Sequence, residues 1–189
     1  SLPGVLQYTR KQPVGVCALV IPWNFPFMTT VWKLAPALAT GNTVVLKPAE
    51  QTPLSTVRLV ELLAEAGVPD GVVNLVTGGA QAGRRLAEHP GVDKISFTGS
   101  TEVGRSIVRA AAGNLKRVTL ELGGKSPSIV TANADLEQAV EGNLMGNVLN
   151  SGQVCAAYSR FYVHASVVDE FTRRLAEAAA RLRIGDGLD

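Results

Sequence analysis

Val14-Gly15-Val16-Cys17-Ala18-Leu19-Val20 is an almost unbroken apolar run that stops at Ile21-Pro22-Trp23-Asn24. Seven residues is strand length, and a strand apolar on both faces belongs in a sheet that is covered twice. The run is too short to cross a membrane, and Pro22 closes it. The residues after it set the architecture. Residues 27–40 keep a helical pattern ended by Gly41 and Asn42. Thr43–Lys47 reads as a second strand stopped by Pro48. Thr52 then stands as an N-cap with Pro53 at the first helical position, where the missing proline N–H costs nothing. Leu59, Leu62, Leu63 and Ala66 continue that helix to Gly67.

The alternation goes on. Strands are expected over 72–76, 94–97 and 116–122, and helices over 80–88 and 101–112. Five strand–helix alternations predict an α/β fold: a Rossmann-like parallel sheet with helices on both faces. Ligands of such sheets bind beyond the carboxyl ends of the strands. That rule singles out Pro22-Trp23-Asn24, residues 47–50, Gly78-Gly79, Thr98-Gly99-Ser100 and residues 121–124. Beyond Gly124 the pattern changes to a strand over 128–131, a helix over 136–148, a strand over 160–164 and a helix over 167–182. This reads as the start of a second α/β unit. The expected organisation is a remnant of a preceding segment over 1–12, a nucleotide-binding domain over 13–122, and the first part of a catalytic domain over 123–189. Neither Ser1-Leu2-Pro3-Gly4 nor Gly187-Leu188-Asp189 reads as a natural terminus, so the chain is expected to be a fragment.

Composition narrows the functional classes. The chain has 189 residues, 46% of them hydrophobic and 18% charged, with a net charge of +2. No Lys/Arg cluster interleaved with aromatics appears, so nucleic acid is not an expected partner. No segment reads as a membrane span or a leader. The two cysteines, Cys17 and Cys155, lie far apart, and the two histidines, His89 and His164, complete no metal-binding spacing. A reducing, cytoplasmic setting fits this usage, with no metal.

Two familiar motifs fail. Gly123-Gly124-Lys125-Ser126 resembles the end of a phosphate-binding P-loop, but Thr119 occupies the position of the required first glycine and Pro127 follows where a helix should run. No G-x-G-x-x-G follows the first strand. Phe97-Thr98-Gly99-Ser100 does join a strand to a helix, which suits either an ordinary cap or a helix N-terminus that holds a pyrophosphate.

Several side chains carry two readings each. Lys47 and Glu50 form either an exposed ion pair or a ribose-binding acid and base. Asn24 is a turn residue or an amide donor for an oxyanion. Glu121, closing an apolar strand, is a solvated strand end or a general base. Cys155, behind Asn150-Ser151-Gly152-Gln153-Val154, is a small buried residue or a nucleophile. Neither histidine sits in a motif, so any base for Cys155 would be Glu121.

Taken together, Pro22-Trp23-Asn24-Phe25-Pro26, Lys47-Pro48-Ala49-Glu50, Phe97-Thr98-Gly99-Ser100, Glu121-Leu122-Gly123-Gly124-Lys125 and Gly152-Gln153-Val154-Cys155 resemble the NAD(P)-dependent aldehyde dehydrogenases in order and spacing, from about Gln12 to Asp189. The resemblance implies oxidation of an aldehyde to the carboxylic acid with NAD as hydride acceptor, NADP being the lesser choice. It implies a catalytic set of Cys155 as nucleophile, Asn24 as oxyanion donor, Glu121 as base and Lys47. Lys47 and Glu50 would hold the adenosine ribose, with Ile21, Trp23, Gly79, Gly99, Ser100, Val103 and Leu122 around the cofactor. Phe25, Met28, Trp32 and Leu149 match positions lining an aldehyde tunnel; for Met28 and Leu149 ordinary helix core is the competing reading. Tyr158 stands where family members often have a smaller residue. Members are longer than this chain and homo-oligomeric, as dimers or tetramers, which implies an active parent and an impaired fragment. The alternatives are a non-catalytic NAD-binding fragment and a coenzyme A-acylating relative, the latter disfavoured by Glu121.

Overall fold

The computed structural model describes residues 3–188. Ser1, Leu2 and Asp189, the outermost residues of the expected remnant and of the second domain, lie outside the described residues. The chain divides into two compact units, one ending at Leu122 and the other beginning at Gly123.

The first unit alternates strictly: β1 (Val16–Val20), α1 (Pro26–Ala39), β2 (Thr43–Lys47), α2 (Leu54–Glu65), β3 (Val73–Leu75), α3 (Ala80–Glu88), β4 (Lys94–Gly99), α4 (Thr101–Ala111) and β5 (Arg117–Leu122). All pairings are parallel, in the order β3-β2-β1-β4-β5. The expected α/β sheet is therefore present, with β1 at its centre.

Its two faces build two cores from alternate residues of the same strands. Cys17, Leu19 and Ile21 join Val44 and Leu46 beneath Leu34 and Ala37 of α1, with Leu59 and Leu63 of α2 packed alongside. Ala18 and Val20 join Ile95 and Phe97 beneath Ala87 of α3 and Ile107 of α4. Helices thus cover both faces, and the unbroken apolar run of β1 follows from that. Each fully buried Leu, Ile or Val contributes on the order of 1.5–3 kcal/mol relative to exposure. Between α1 and α2 the buried hydroxyls of Thr30 and Thr56 meet at 3.1 Å.

The start of α2 differs from expectation. Thr52 does not cap it; the residue preceding the helix is Pro53, which makes no side-chain cap. The Thr52 hydroxyl instead donates to the Trp23 carbonyl at 3.0 Å. The side chain is turned to a distant carbonyl instead of accepting from the N–H groups that open the helix.

In the second unit, β6 (Ser126–Val130) and β7 (Tyr158–Val163) form a two-stranded parallel sheet, with α5 (Leu136–Val148) and α6 (Val168–Ala180). Val130, Val140 and Phe171 form its core. β6 begins earlier than expected and contains Pro127, beside an irregularity in the pairing between Ser126 and Pro127. A strand here agrees with the rejection of a P-loop. Asp135 caps α5, accepting from the Glu137 and Gln138 N–H groups. The helix gives way to a short turn, Leu149–Gly152, in which Asn150 and Ser151 have left-handed dihedrals, and which the sequence pattern did not predict.

Candidate active site

The strand register brings one edge of the first unit together. Val20 lies beside both Lys47 and Phe97, and Phe97 beside Leu120. The residues that emerge next at that edge are Ile21, Pro48, Thr98 and Glu121.

At the end of β2, Lys47 is buried and donates from Nζ to the Pro48 carbonyl at 3.1 Å. Its Nζ lies 3.8 Å from Glu50 Oε2, whose carboxylate is exposed. The pair is therefore asymmetric, one member fixed inside and the other facing solvent. Gly79, preceding α3, turns its bare Cα to that carboxylate: a Cβ there would lie 3.8 Å from Glu50 Oε1. Lys47, Glu50 and Gly79 form one corner, as the sequence suggested.

At the end of β4, Ser100 caps α4, its Oγ accepting the Val103 N–H at 3.2 Å. The Gly104 N–H goes to the Ser100 carbonyl at 3.0 Å. An α-helix leaves the N–H groups of its first residues without intrahelical acceptors, here those of Thr101 and Glu102, and these favour an anion. The ordinary cap is thus present and compatible with the anion-holding reading.

The β1–α1 connection carries Trp23, exposed, and Asn24, half-buried. Ile21 is buried in the core, and its N–H is donated to the Lys47 carbonyl at 2.9 Å. Thr52 ties Trp23 to the β2–α2 connection. Phe25, Met28 and Trp32 follow at helical spacing, and Met28 and Trp32 are exposed, Trp32 by 67%. Within this unit Met28 and Trp32 leave their apolar surface uncovered.

Glu121 sits at the end of β5 beside Thr98, exposed. Leu122 packs against the core that contains Phe97 and Ile107. The sequence reading missed Lys33 on α1. Its Nζ donates to Ser96 Oγ on β4 at 3.1 Å. Burial lowers the Lys33 pKa, the Glu121 carboxylate pulls it back up, and Lys94 lowers it again. A lysine on a helix gives no local signal of this; only the sheet beneath it does.

In the second unit, Cys155 is exposed and follows three consecutive left-handed residues: Asn150 at φ 50°, Ser151 at φ 56° and Gly152 at φ 76°. Leu149 is half exposed. An open apolar trough on the same unit, along Ile129, Phe161, Tyr162 and His164, contains none of the expected site residues. Among the described residues no cluster of three or more His, Cys, Asp or Glu forms a metal site, and no helix is long and apolar enough to cross a membrane.

The sequence profile of the aldehyde dehydrogenase family matches residues 1–189. The chain belongs to the aldehyde dehydrogenase family. It is 54% identical over 188 residues to an aldehyde dehydrogenase of Alternaria alternata, covering 98% of this chain and 38% of that one. It is 55% identical over 184 residues to human retinal dehydrogenase 2, covering 96% of this chain and 36% of the relative. The chain thus spans little more than a third of the length of these relatives. Among solved structures it resembles a betaine aldehyde dehydrogenase of Staphylococcus aureus in complex with NAD+, with TM-score 0.91 and 44% identity over 94% of this chain and 35% of that one. It also resembles an NADP-dependent enzyme of E. coli, with TM-score 0.92 and 52% identity over 94% of this chain and 37% of that one. The five-stranded sheet matches the nucleotide-binding domain of these aldehyde dehydrogenases.

Proposed function

We propose that this chain contributes the NAD-binding region, over 13–122, and the nucleophile-bearing start of the catalytic domain, over 123–189, to an enzyme that oxidises a small aldehyde to its acid. The observation that carries the reading is the corner at the β2 end: a buried ammonium, an exposed carboxylate and a bare glycine at one strand terminus. The fit to NAD is physical. Glu50 suits a ribose diol and repels a 2′-phosphate, Lys47 supplies a fixed donor, and Gly79 leaves room beside them. The capped start of α4, with Gly99, Ser100 and Val103, suits the pyrophosphate, and Ile21, Trp23 and Leu122 flank it.

In the complete enzyme the Cys155 thiolate attacks the aldehyde carbon and forms a C–S bond. The resulting oxyanion accepts hydrogen bonds from the Asn24 amide and the Cys155 N–H. Bound NAD supplies the acceptor for the hydride this carbon gives up, leaving a thioester on Cys155. Glu121 takes a proton from water as the water attacks the thioester, and the acid leaves with Cys155 restored. Phe25, Met28, Trp32 and Leu149 line the aldehyde's approach, and the exposed apolar surface of Met28, Trp32 and Leu149 supports that role. A carboxylate at the β5 end favours hydrolysis over acyl transfer to coenzyme A.

The test is a single-turnover measurement of NADH in the full-length protein with excess propanal and NAD. Wild type gives a burst equal to the number of sites and then turns over. Cys155→Ala gives none, and retained turnover removes Cys155 as nucleophile. Glu121→Gln keeps the burst and stalls afterwards; steady turnover in that variant removes Glu121 as base. The full-length protein is further proposed to be a cytoplasmic homo-oligomer, a dimer or tetramer, which light scattering and cell fractionation check. Similar proteins are named cytosolic in mouse and mitochondrial in Leishmania tarentolae.

A further inference from the structure

The loop that carries Cys155 leaves α5, passes through the left-handed residues Asn150, Ser151 and Gly152, and enters β7 at Tyr158. Within it the Gln153 N–H donates to the Asn150 carbonyl at 3.1 Å and the Ala157 N–H to the Val154 carbonyl at 3.1 Å, while its two ends are held by packing. Two close approaches hold them. The half-buried ring of Tyr158 lies on the bare Cα of Gly146 in α5. A Cβ at Gly146 would fall 2.3 Å from Tyr158 Cε2 and 2.7 Å from Cδ2, far inside contact distance. On the other side, a Cβ at Gly124 would fall 2.7 Å from the Cys155 carbonyl oxygen. The neighbouring positions continue the attachment: Tyr158 pairs with Ser126 at the start of the β6–β7 sheet, and the Arg160 guanidinium donates to the Lys125 carbonyl.

We infer that Tyr158 is a positioning residue for Cys155, its ring clamped on Gly146 closing the nucleophile loop. The inference rests on the assignment of Cys155 as nucleophile. The ring meets α5 where that helix has no side chain, so nothing else at Gly146 can replace the contact once the ring is gone. The Cys155 carbonyl still passes close to the bare Cα of Gly124, but the stretch between the helix and Cys155 loses its closure. Nucleophilic attack is sensitive to displacements of about 1 Å, which can cost as much as 10²-fold in rate. A loosened loop therefore slows chemistry more than it weakens substrate binding.

The experiment compares wild type, Tyr158→Ala, Tyr158→Phe and Cys155→Ala in the full-length protein. One readout is the rate constant for alkylation of Cys155 by iodoacetamide, followed by mass spectrometry of the Cys155 peptide. The others are kcat and KM for propanal with NAD, and the Tm of each variant. Tyr158→Ala is expected to lower both the alkylation rate and kcat by about tenfold or more, with KM within about twofold. Tyr158→Phe, which keeps the ring, restores both. A folded Tyr158→Ala protein with wild-type alkylation and kcat overturns the inference, even if its Tm falls. Should Tyr158→Ala fail to fold, Tyr158→Leu is held to the same criteria. Failure of the underlying assignment looks different: Cys155→Ala would then retain NADH production.

Discussion

Gly99 has no side chain where the Phe97 ring needs the room: a Cβ on Gly99 would sit 2.4 Å from Phe97 Cζ. Phe97 is only 6% exposed and packs in the core beneath α3 and α4, so the ring has nowhere to retreat. The absence of one methyl lets β4 deliver the chain to the start of α4 with a core aromatic directly beneath. Gly99→Ala should cost about 1–3 kcal/mol by overpacking. A urea titration reads this as a lowered midpoint, and an unchanged midpoint would mean that Phe97 can move aside. On the proposed role of the α4 start in holding the pyrophosphate, calorimetric NAD affinity of the full-length variant falls as well.

Glu50 faces the space left by Gly79 with its charge in solvent, while Lys47 holds the buried side of the pair. On its proposed role beside the ribose, Glu50→Ala removes the repulsion toward a 2′-phosphate. The ratio of kcat/KM for NADP over NAD should rise by about tenfold or more in the full-length protein, since like-charge apposition costs several kcal/mol. An unchanged ratio takes Glu50 out of cofactor choice.

The two cysteines should separate by reactivity. Burial pushes the Cys17 thiol up, Lys94 pulls it back and Asp93 pushes it further up, and the side chain is 2% exposed. Iodoacetamide at mildly alkaline pH should label exposed Cys155 and spare Cys17 until the protein unfolds, and peptide mass spectrometry distinguishes them. Folding favours the protonated Cys17 thiol, so this group stabilises below the unfolded thiol's pKa, and the contribution is lost as pH rises through the raised folded value. Cys17→Ala should flatten that alkaline decline, although it also opens a cavity.

Lys33 has the opposite behaviour. Its folded pKa lies below its unfolded one, so between the two the unfolded chain binds more protons and stability rises with pH. Lys33→Met keeps the stem and removes the titration, so the slope of urea midpoint against pH in the alkaline range should diminish. An identical slope in the variant would show that Lys33 titrates alike in both states.

The sheet and its strand ends were legible because β1, β2 and β4 are apolar runs stopped by Pro or Gly, and such runs have few other homes. The corner at Lys47, Glu50 and Gly79 was legible for the same reason, since a strand's end fixes where its next residues emerge. Thr52 was misread because its hydroxyl's partner, the Trp23 carbonyl, lies 29 residues away. Lys33 was invisible because its acceptor, Ser96, lies 63 residues on. The left-handed run before Cys155 was not read from the sequence, because its backbone depends on where α5 stops. Met28 and Trp32 keep a helical stripe, and periodicity alone does not say whether a stripe faces core or solvent.

On the ribosome the centre of the sheet is made before its edges. β1 is translated first of the five strands, yet one of its neighbours is β4. The Val16 N–H and its Asp93 acceptor are 77 residues apart. At about 5–20 residues per second, synthesis leaves that edge of Val-Cys-Ala-Leu-Val unpaired for roughly 4–15 s after it is made. The nascent chain carries this apolar strand half-covered through that interval, with β2 and α1 as its first shelter. Slower codons between β2 and β4 would lengthen the risk, and cotranslational capture by a chaperone is most useful in that window.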